Sequence, residues 1–377
     1  MDNSLQPVRS LSIHADYRCR HSGECCTADW DVPVELPVYR SLADAVGTGR
    51  LHPAPRSADL QPFILEPELS DEAAAMLERN EHGECVFFEG GSRLCVVHRD
   101  LGHDALPATC RHFPRVAIRD GRGASIGLSH FCPTAAAMLF RDDVELSVVD
   151  APPAFPPADY EGLVVTADEL APLLRPGVVM DLATYNAWEE HMVRRSAATS
   201  SPESVVATLA RDAALVRRWV AGGPSMLDLI RALPEDVVAA ATPVDLGASL
   251  RGFTLVMAAV PDDLRPAADE GGLEEAYGHF VAPVWHLWSA PLRRYIAAKA
   301  FASWTAYQGH GLLTIVRGLH VALALVRVEA ARECRDARDV LDEARLLAAF
   351  RAADFALNHL AVGEDLALDW SRVELDA

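Results

Sequence analysis

Apolar residues recur at two different periods along this 377-residue chain. Up to about residue 150 they come in short runs bounded by turn residues, a pattern of strands and loops. The runs 85–88 (CVFF) and 93–97 (RLCVV) flank EGGS, whose Gly90-Gly91 pair suits a tight hairpin turn. The runs 114–119 (PRVAIR) and 124–131 (ASIGLSHF) flank Asp120-Gly121-Arg122-Gly123, a second hairpin signal. A helix is predicted over Glu68 to Arg79, with Ser70 or Asp71 at its cap and Ala73, Met76 and Leu77 on its buried face; another begins at Pro133. From about residue 200 the period becomes helical. Ser201-Pro202-Glu203 opens a run to Val220 with Val205, Leu209 and Leu215 at helical spacing. Pro291 opens a helix that Gly309-His310-Gly311 breaks, Leu312 resumes one towards Cys334, and Asp339 caps a last one. The proline-rich stretch at 151–157 (APPAFPP) marks a boundary between the two regimes. The reading is an α+β protein: a small, irregular, cysteine-rich domain with β-hairpins over 1–150, followed by a mostly α-helical domain over 151–377.

Charge narrows the functions open to it. With 34 basic against 54 acidic residues the net charge is −20, which repels phosphate backbones and anionic lipid and argues against nucleic-acid and membrane partners. The most apolar stretch, Leu312 to Val328, carries Arg317, His320 and Arg327, too polar for a lipid-facing span. The opening residues lack the apolar core of a secretory signal. A cytoplasmic protein is therefore expected, and there thiols stay reduced. Of the 34 basic residues only Lys299 is a lysine.

That compartment matters because the cysteines are clustered. Cys19, Cys25, Cys26, Cys85, Cys95, Cys110 and Cys132 fall between positions 19 and 132, and Cys334 alone lies outside. Seven buried small hydrophobes or oxidised pairs would be a poor account of this set. Four thiolates complete a tetrahedral zinc site or hold an iron–sulfur cluster, so a metal-binding domain is the stronger reading. The spacing runs Cys-x5-Cys-Cys, Cys-x9-Cys, Cys-x14-Cys and Cys-x21-Cys. No compact zinc knuckle is present, and the site must be assembled from distant loops. Arg18, Arg20, Arg93, Arg99, Arg111 and Arg115 lie beside these cysteines, and neighbouring cations favour thiolates. Among the nearby histidines, His98 and His130 are the best substitute ligands. Cys334, amid alanine and arginine, reads as a packed side chain. Glu189-Glu190-His191 reads as a solvated helix face, and the aromatic stretch from Trp285 to Tyr307 as helix packing.

The strings Tyr17-Arg18-Cys19, Ser22-Gly23-Glu24-Cys25-Cys26 and Trp30-Asp31-Val32-Pro33-Val34 resemble the CxxCxxCC family of zinc- or iron-chelating cysteine-cluster proteins. Cys85, Cys95-Val96-Val97-His98, the run from Leu106 to Arg115 (LPATCRHFPR) and His130-Phe131-Cys132-Pro133 follow in that family's order and look closest to its flagellin lysine-N-methylase branch. The resemblance covers about 17 to 133. It implies a cysteine-bound metal centre, an iron–sulfur cluster in that branch, and methyl transfer from S-adenosylmethionine to a protein lysine. One departure stands: the family opening has a further cysteine before the double pair, and Arg20 to Glu24 contain none. No glycine-rich nucleotide-binding turn is legible, because Gly47-Thr48-Gly49 and Gly121-Arg122-Gly123 both read as loops.

Three functions follow: a metal-dependent, methyltransferase-like enzyme acting on a protein lysine or other amine; a non-catalytic protein whose zinc or iron fixes the fold; and a partner-binding module. The expected metal is an iron–sulfur cluster, with zinc as the alternative. The seven N-terminal cysteines are expected to converge, with Cys25 and Cys26 in different roles. A cleft between the cysteine domain and the helices around 285–310 is the expected substrate site, with Arg111 and Arg115 holding an anionic group of the cofactor or substrate. Nothing in the sequence sets the oligomeric state.

Overall fold

The computed structural model describes residues 7–28, 30–65, 73–153, 171–198, 200–240, 246–262, 264–265 and 271–370. It is a mixed protein with several small sheets and a helical C-terminal region. Contacts divide it into two compact units: Tyr17–Arg115 with Cys132–Thr134, and Met1–Asp16 with Val116–Phe131 and Ala135–Ala377. The expected boundary at residue 150 falls inside the second of these, at the end of the strand Val148–Asp150. Of the proline stretch, residues 154–157 lie outside the described residues.

The cysteine unit is built from very short elements. Pro33–Val34, Ala75–Leu77 and Phe63–Ile64 form a three-stranded antiparallel sheet with Ala75–Leu77 in the middle. This corrects the helix predicted over Glu68 to Arg79; its proposed cap, Ser70 or Asp71, lies outside the described residues. Alanine, methionine and leucine favour helix in isolation. Here Ala75 and Leu77 are buried while Met76 is half-buried, a period of two, and the segment satisfies its backbone against two neighbours distant in sequence. The first predicted hairpin forms, but it is short: Phe88 pairs with Cys95 and Glu89 with Leu94. At Val96 the chain turns into a helix, Val96–Leu101. The positive φ of this loop falls on Arg93, at 55°, and neither Gly90 nor Gly91 adopts one. A small core of Val34, Leu42, Leu51, Val86, Phe87 and Val97 includes Cys26 and Cys85 among its buried members.

In the other unit, the second hairpin forms as predicted and joins a four-stranded sheet ordered Arg115–Asp120, Gly123–Leu128, Val8–Leu11, Val148–Asp150. Val8–Leu11 runs parallel to Gly123–Leu128 and antiparallel to Val148–Asp150. Gly123 has φ 109°, and a Cβ there would lie 2.1 Å from the Pro7 carbonyl oxygen; only glycine lets the strands close. The predicted helix at Pro133 runs Pro133–Met138.

The helical region centres on Leu312–Ala337, buried on nearly every face by Glu343–Phe355, Leu246–Ala258, Pro202–Val216 and Ser289–Ala300. Such all-round burial explains its apolar composition without a membrane, and among the described residues no helix is long and apolar enough to cross one. Its buried Arg327 is paired with Glu203 at 2.5 Å. Ser201 caps Pro202–Val216 by accepting from the Ser204 amide. The last predicted cap moves: Asp342, not Asp339, accepts from the Arg345 amide to open Glu343–Phe355, and a further helix, Gly363–Trp370, follows. Trp285, Tyr295 and Tyr307 are buried in the core. Glu189 is buried against Arg9 and Arg122, and His191 against Asp212, so neither lies on a solvated face.

Candidate functional site

Gly23 decides how the double cysteine is presented. It enters the single turn Glu24–Cys26 at φ 80°, and a Cβ on it would sit 2.6 Å from the Phe88 ring and 2.9 Å from the Arg93 carbonyl. The turn places the Cys25 and Cys26 sulfurs 3.9 Å apart. The Cys85 amide donates to the Cys26 carbonyl at 2.7 Å, tying the turn to the chain just before the hairpin. Cys95 stands on the return strand of that hairpin. Cys110 rides on the one-turn helix Ala108–His112, whose first amide donates to Glu35 Oε1 at 2.9 Å. Cys132 lies 3.5 Å from the Tyr17 hydroxyl, and the His21 amide donates to Cys19 Sγ at 3.3 Å.

These elements enclose a cavity of about 100 Å³ within the cysteine unit. Cys19, Cys25, Cys26, Cys95, Cys110 and Cys132 all line it; Cys85 is buried and does not. Cys334 belongs to the other unit, buried in the helix Leu312–Ala337. Arg111 and Arg115 are both on the cavity wall. Arg111 donates to the Leu106 carbonyl at 2.6 Å, and the Arg115 guanidinium lies 5.0 Å above the Tyr17 ring. The wall also carries His21, His98 and His103, with ring centroids 4.7 Å apart from His21 to His98 and 5.7 Å from His98 to His103. His130 is engaged elsewhere, its ring 3.3 Å from that of His14 and its amide bonded to Asp354. Sequence reasoning missed Tyr17, which contacts both Cys132 and Arg115. It stood in the string Tyr17-Arg18-Cys19 only as part of the resemblance, with no role of its own.

The thiols are not equivalent. Hydrogen bonding with Cys26 lowers Cys25 and brings Cys95 down to about 7, against the opposing effect of burial. Cys26 is raised by the same bonds, first with Cys25 and then with Cys95. Cys26 thus holds its proton more firmly than its two neighbours, so the adjacent cysteines are not equivalent. Burial pushes Cys85 up to about 12 and raises Cys110 and Cys19. A soft cation supplies the charge that lets such buried thiols ionise. The donor chemistry therefore fits a thiophilic metal. The sulfurs surround the cavity rather than meeting at a point, and among the described residues no group of three or more His, Cys, Asp or Glu side chains is gathered at metal-binding spacing.

No family model, curated protein or solved structure matches this chain.

Proposed function

We propose that the cysteine unit is a thiolate metal centre whose ligands are drawn from Cys19, Cys25, Cys26, Cys95, Cys110 and Cys132, with Cys85 off the cavity wall. One observation carries this reading: six cysteines from four separate stretches of chain line one cavity of about 100 Å³. Four thiolates suffice for either zinc or an iron–sulfur cluster. The resemblance of residues 17–133 favours the cluster, and zinc is the alternative. Bound there, the group would supply electron transfer or Lewis-acid polarisation; the chain's own part is to hold thiolates and exclude bulk water. Eight free thiols suit a reducing, cytoplasmic setting.

The activity proposed for this centre, transfer of a methyl group from S-adenosylmethionine to a protein lysine or other amine, rests on the resemblance of residues 17–133. In it Arg111 and Arg115, on the cavity wall, hold an anionic group such as the cofactor's carboxylate.

Purification without oxygen, followed by iron, sulfide and zinc analysis and an absorption spectrum, tests the centre. Coloured protein with iron and sulfide is expected. Colourless protein with one zinc per chain selects the structural alternative, and protein holding neither removes both readings. Titration with S-adenosylmethionine tests the activity separately: saturable binding that weakens in Arg111→Ala is expected, and none at all leaves a non-catalytic metal protein.

A further inference from the structure

The only lysine of the chain is half-buried in the helical unit, its side chain 14% exposed, and ion-paired to the wholly buried Asp354. Asp354 is the centre of a closed network. The Tyr295 hydroxyl donates to it at 3.1 Å, the His130 amide at 2.5 Å and the Asn358 side-chain amide at 2.9 Å. The carboxylate is therefore fully served, and the Lys299–Asp354 pair is neutral as a unit. The ammonium is less fully used. It carries three N–H groups and no acceptor, and among the described residues Asp354 is its one hydrogen-bond partner.

Lys299 also lines a cavity of about 70 Å³ in the same unit. That is several times the roughly 10–15 Å³ one water needs. Trp304, Trp370, Ile315 and Leu319 supply apolar walls, and Gly318 opens one of them: a Cβ there would lie 2.6 Å from the Trp370 ring. Trp370 Nε1 is buried with no acceptor among the described residues, and an indole N–H can only donate. Besides these two donors the wall offers an apolar surface and the side chains of Ser303, Thr305 and Asn358. It offers no net charge, because the one cation is already neutralised.

We propose that this cavity is a binding site for a small, neutral carbonyl compound, a ketone or carboxamide with a short apolar chain, whose oxygen accepts from Lys299 and Trp370. A carboxylate would bring a second buried anion against one cation, and burying an uncompensated charge is costly. An amine, protonated at neutral pH, would bring a second cation beside Lys299, an equally uncompensated charge. A lysine suits this role better than any of the chain's arginines. Arginine's planar fork engages a carboxylate two-pronged, whereas an ammonium bonded to one oxygen keeps donors for another ligand.

The single lysine makes the test clean, because protein labelled with [13Cε]lysine gives one resonance. Titration with 2-pentanone or butyramide is expected to shift it saturably, whereas butyrate and butylamine leave it unmoved. Calorimetry with 2-pentanone should show binding weakened at least tenfold in Lys299→Arg, which keeps the charge paired with Asp354. In Trp370→Phe, which keeps the ring and loses the N–H, binding should weaken about fivefold, the size of one neutral hydrogen bond. A resonance unmoved by either carbonyl compound overturns the proposal. So does an equal response to butyrate or butylamine, or undiminished binding in a folded Lys299→Arg. Should a variant fail to fold, the wild-type titration alone decides.

Discussion

Three histidines near Asp354 make stability fall steeply in mild acid. His14 and His130 are wholly or almost wholly buried, and burial is the main reason each lies below the ordinary histidine value. His359, whose Nε2 lies 2.8 Å from Ser129 Oγ, is lowered to about 4, again chiefly by burial. Above the unfolded value of about 6.5 all three are neutral in both states, and stability is at its full value. As pH falls below 6.5 the unfolded chain takes up protons that the fold refuses. Each such proton lowers stability by about 1.4 kcal/mol per pH unit until the folded value is reached. For His359 the total is roughly 3 kcal/mol by pH 4, and His14 and His130 add to the loss in the same direction. For one side chain that is a large share of the whole stability of many domains, about 5–15 kcal/mol. Asp354 does not enter this window. Its value lies far below that of an ordinary carboxyl: burial would raise it, but Lys299 and then His130 outweigh burial. Its contribution is complete above about pH 4 and is lost only below that. Urea titrations at pH 7, 6 and 5, followed by tryptophan fluorescence, measure the effect. The midpoint should drop at each step, and His359→Gln should flatten the pH dependence by about one proton. A midpoint constant from pH 7 to 5 would refute the burial argument.

Two further changes test local reasoning. Gly123→Ala forces a Cβ to within 2.1 Å of the Pro7 carbonyl at a φ of 109°; a loss of about 2–4 kcal/mol, read as a lowered melting temperature, is expected. Ser201→Ala removes the hydroxyl that accepts from the Ser204 amide. It should cost about 1 kcal/mol in a urea titration, and a neutral result would show that another group caps that helix.

The sequence discloses elements whose cause is local and hides those whose cause is remote. Ser201 and Pro202 mark a helix start through groups within one turn of each other, and Gly311, at φ 65° before Leu312, announces a break in the same way. The segment Ala75–Leu77 could not be read so, because what makes it a strand is pairing with Pro33–Val34 and Phe63–Ile64. The cap expected at Asp339 falls three residues later, on Asp342, because the helix starts only at Glu343 after the chain leaves Ala337. Of the candidate site, the clustering of cysteines was legible from their positions. Which of them face a shared cavity was not: Cys85 looks like the others in sequence and yet lies off the wall. The Lys299–Asp354–His130 network was invisible, since its members sit on elements far apart in the chain, although the singularity of Lys299 was in plain view.

The cysteine unit leaves and rejoins the other unit through strands of a single sheet: Val8–Leu11 lies parallel to Gly123–Leu128, and nearly everything between them in sequence is cysteine unit. It is a knot of chain hung from a clasp. An unfolded insert of roughly 100 residues would charge that clasp about 4 kcal/mol of closure entropy, whereas a folded insert with its ends together charges little. Its ends do meet, with Arg115 over Tyr17. Damage confined to the thiols, such as oxidation or loss of a bound ion, would therefore loosen a sheet that contains no cysteine.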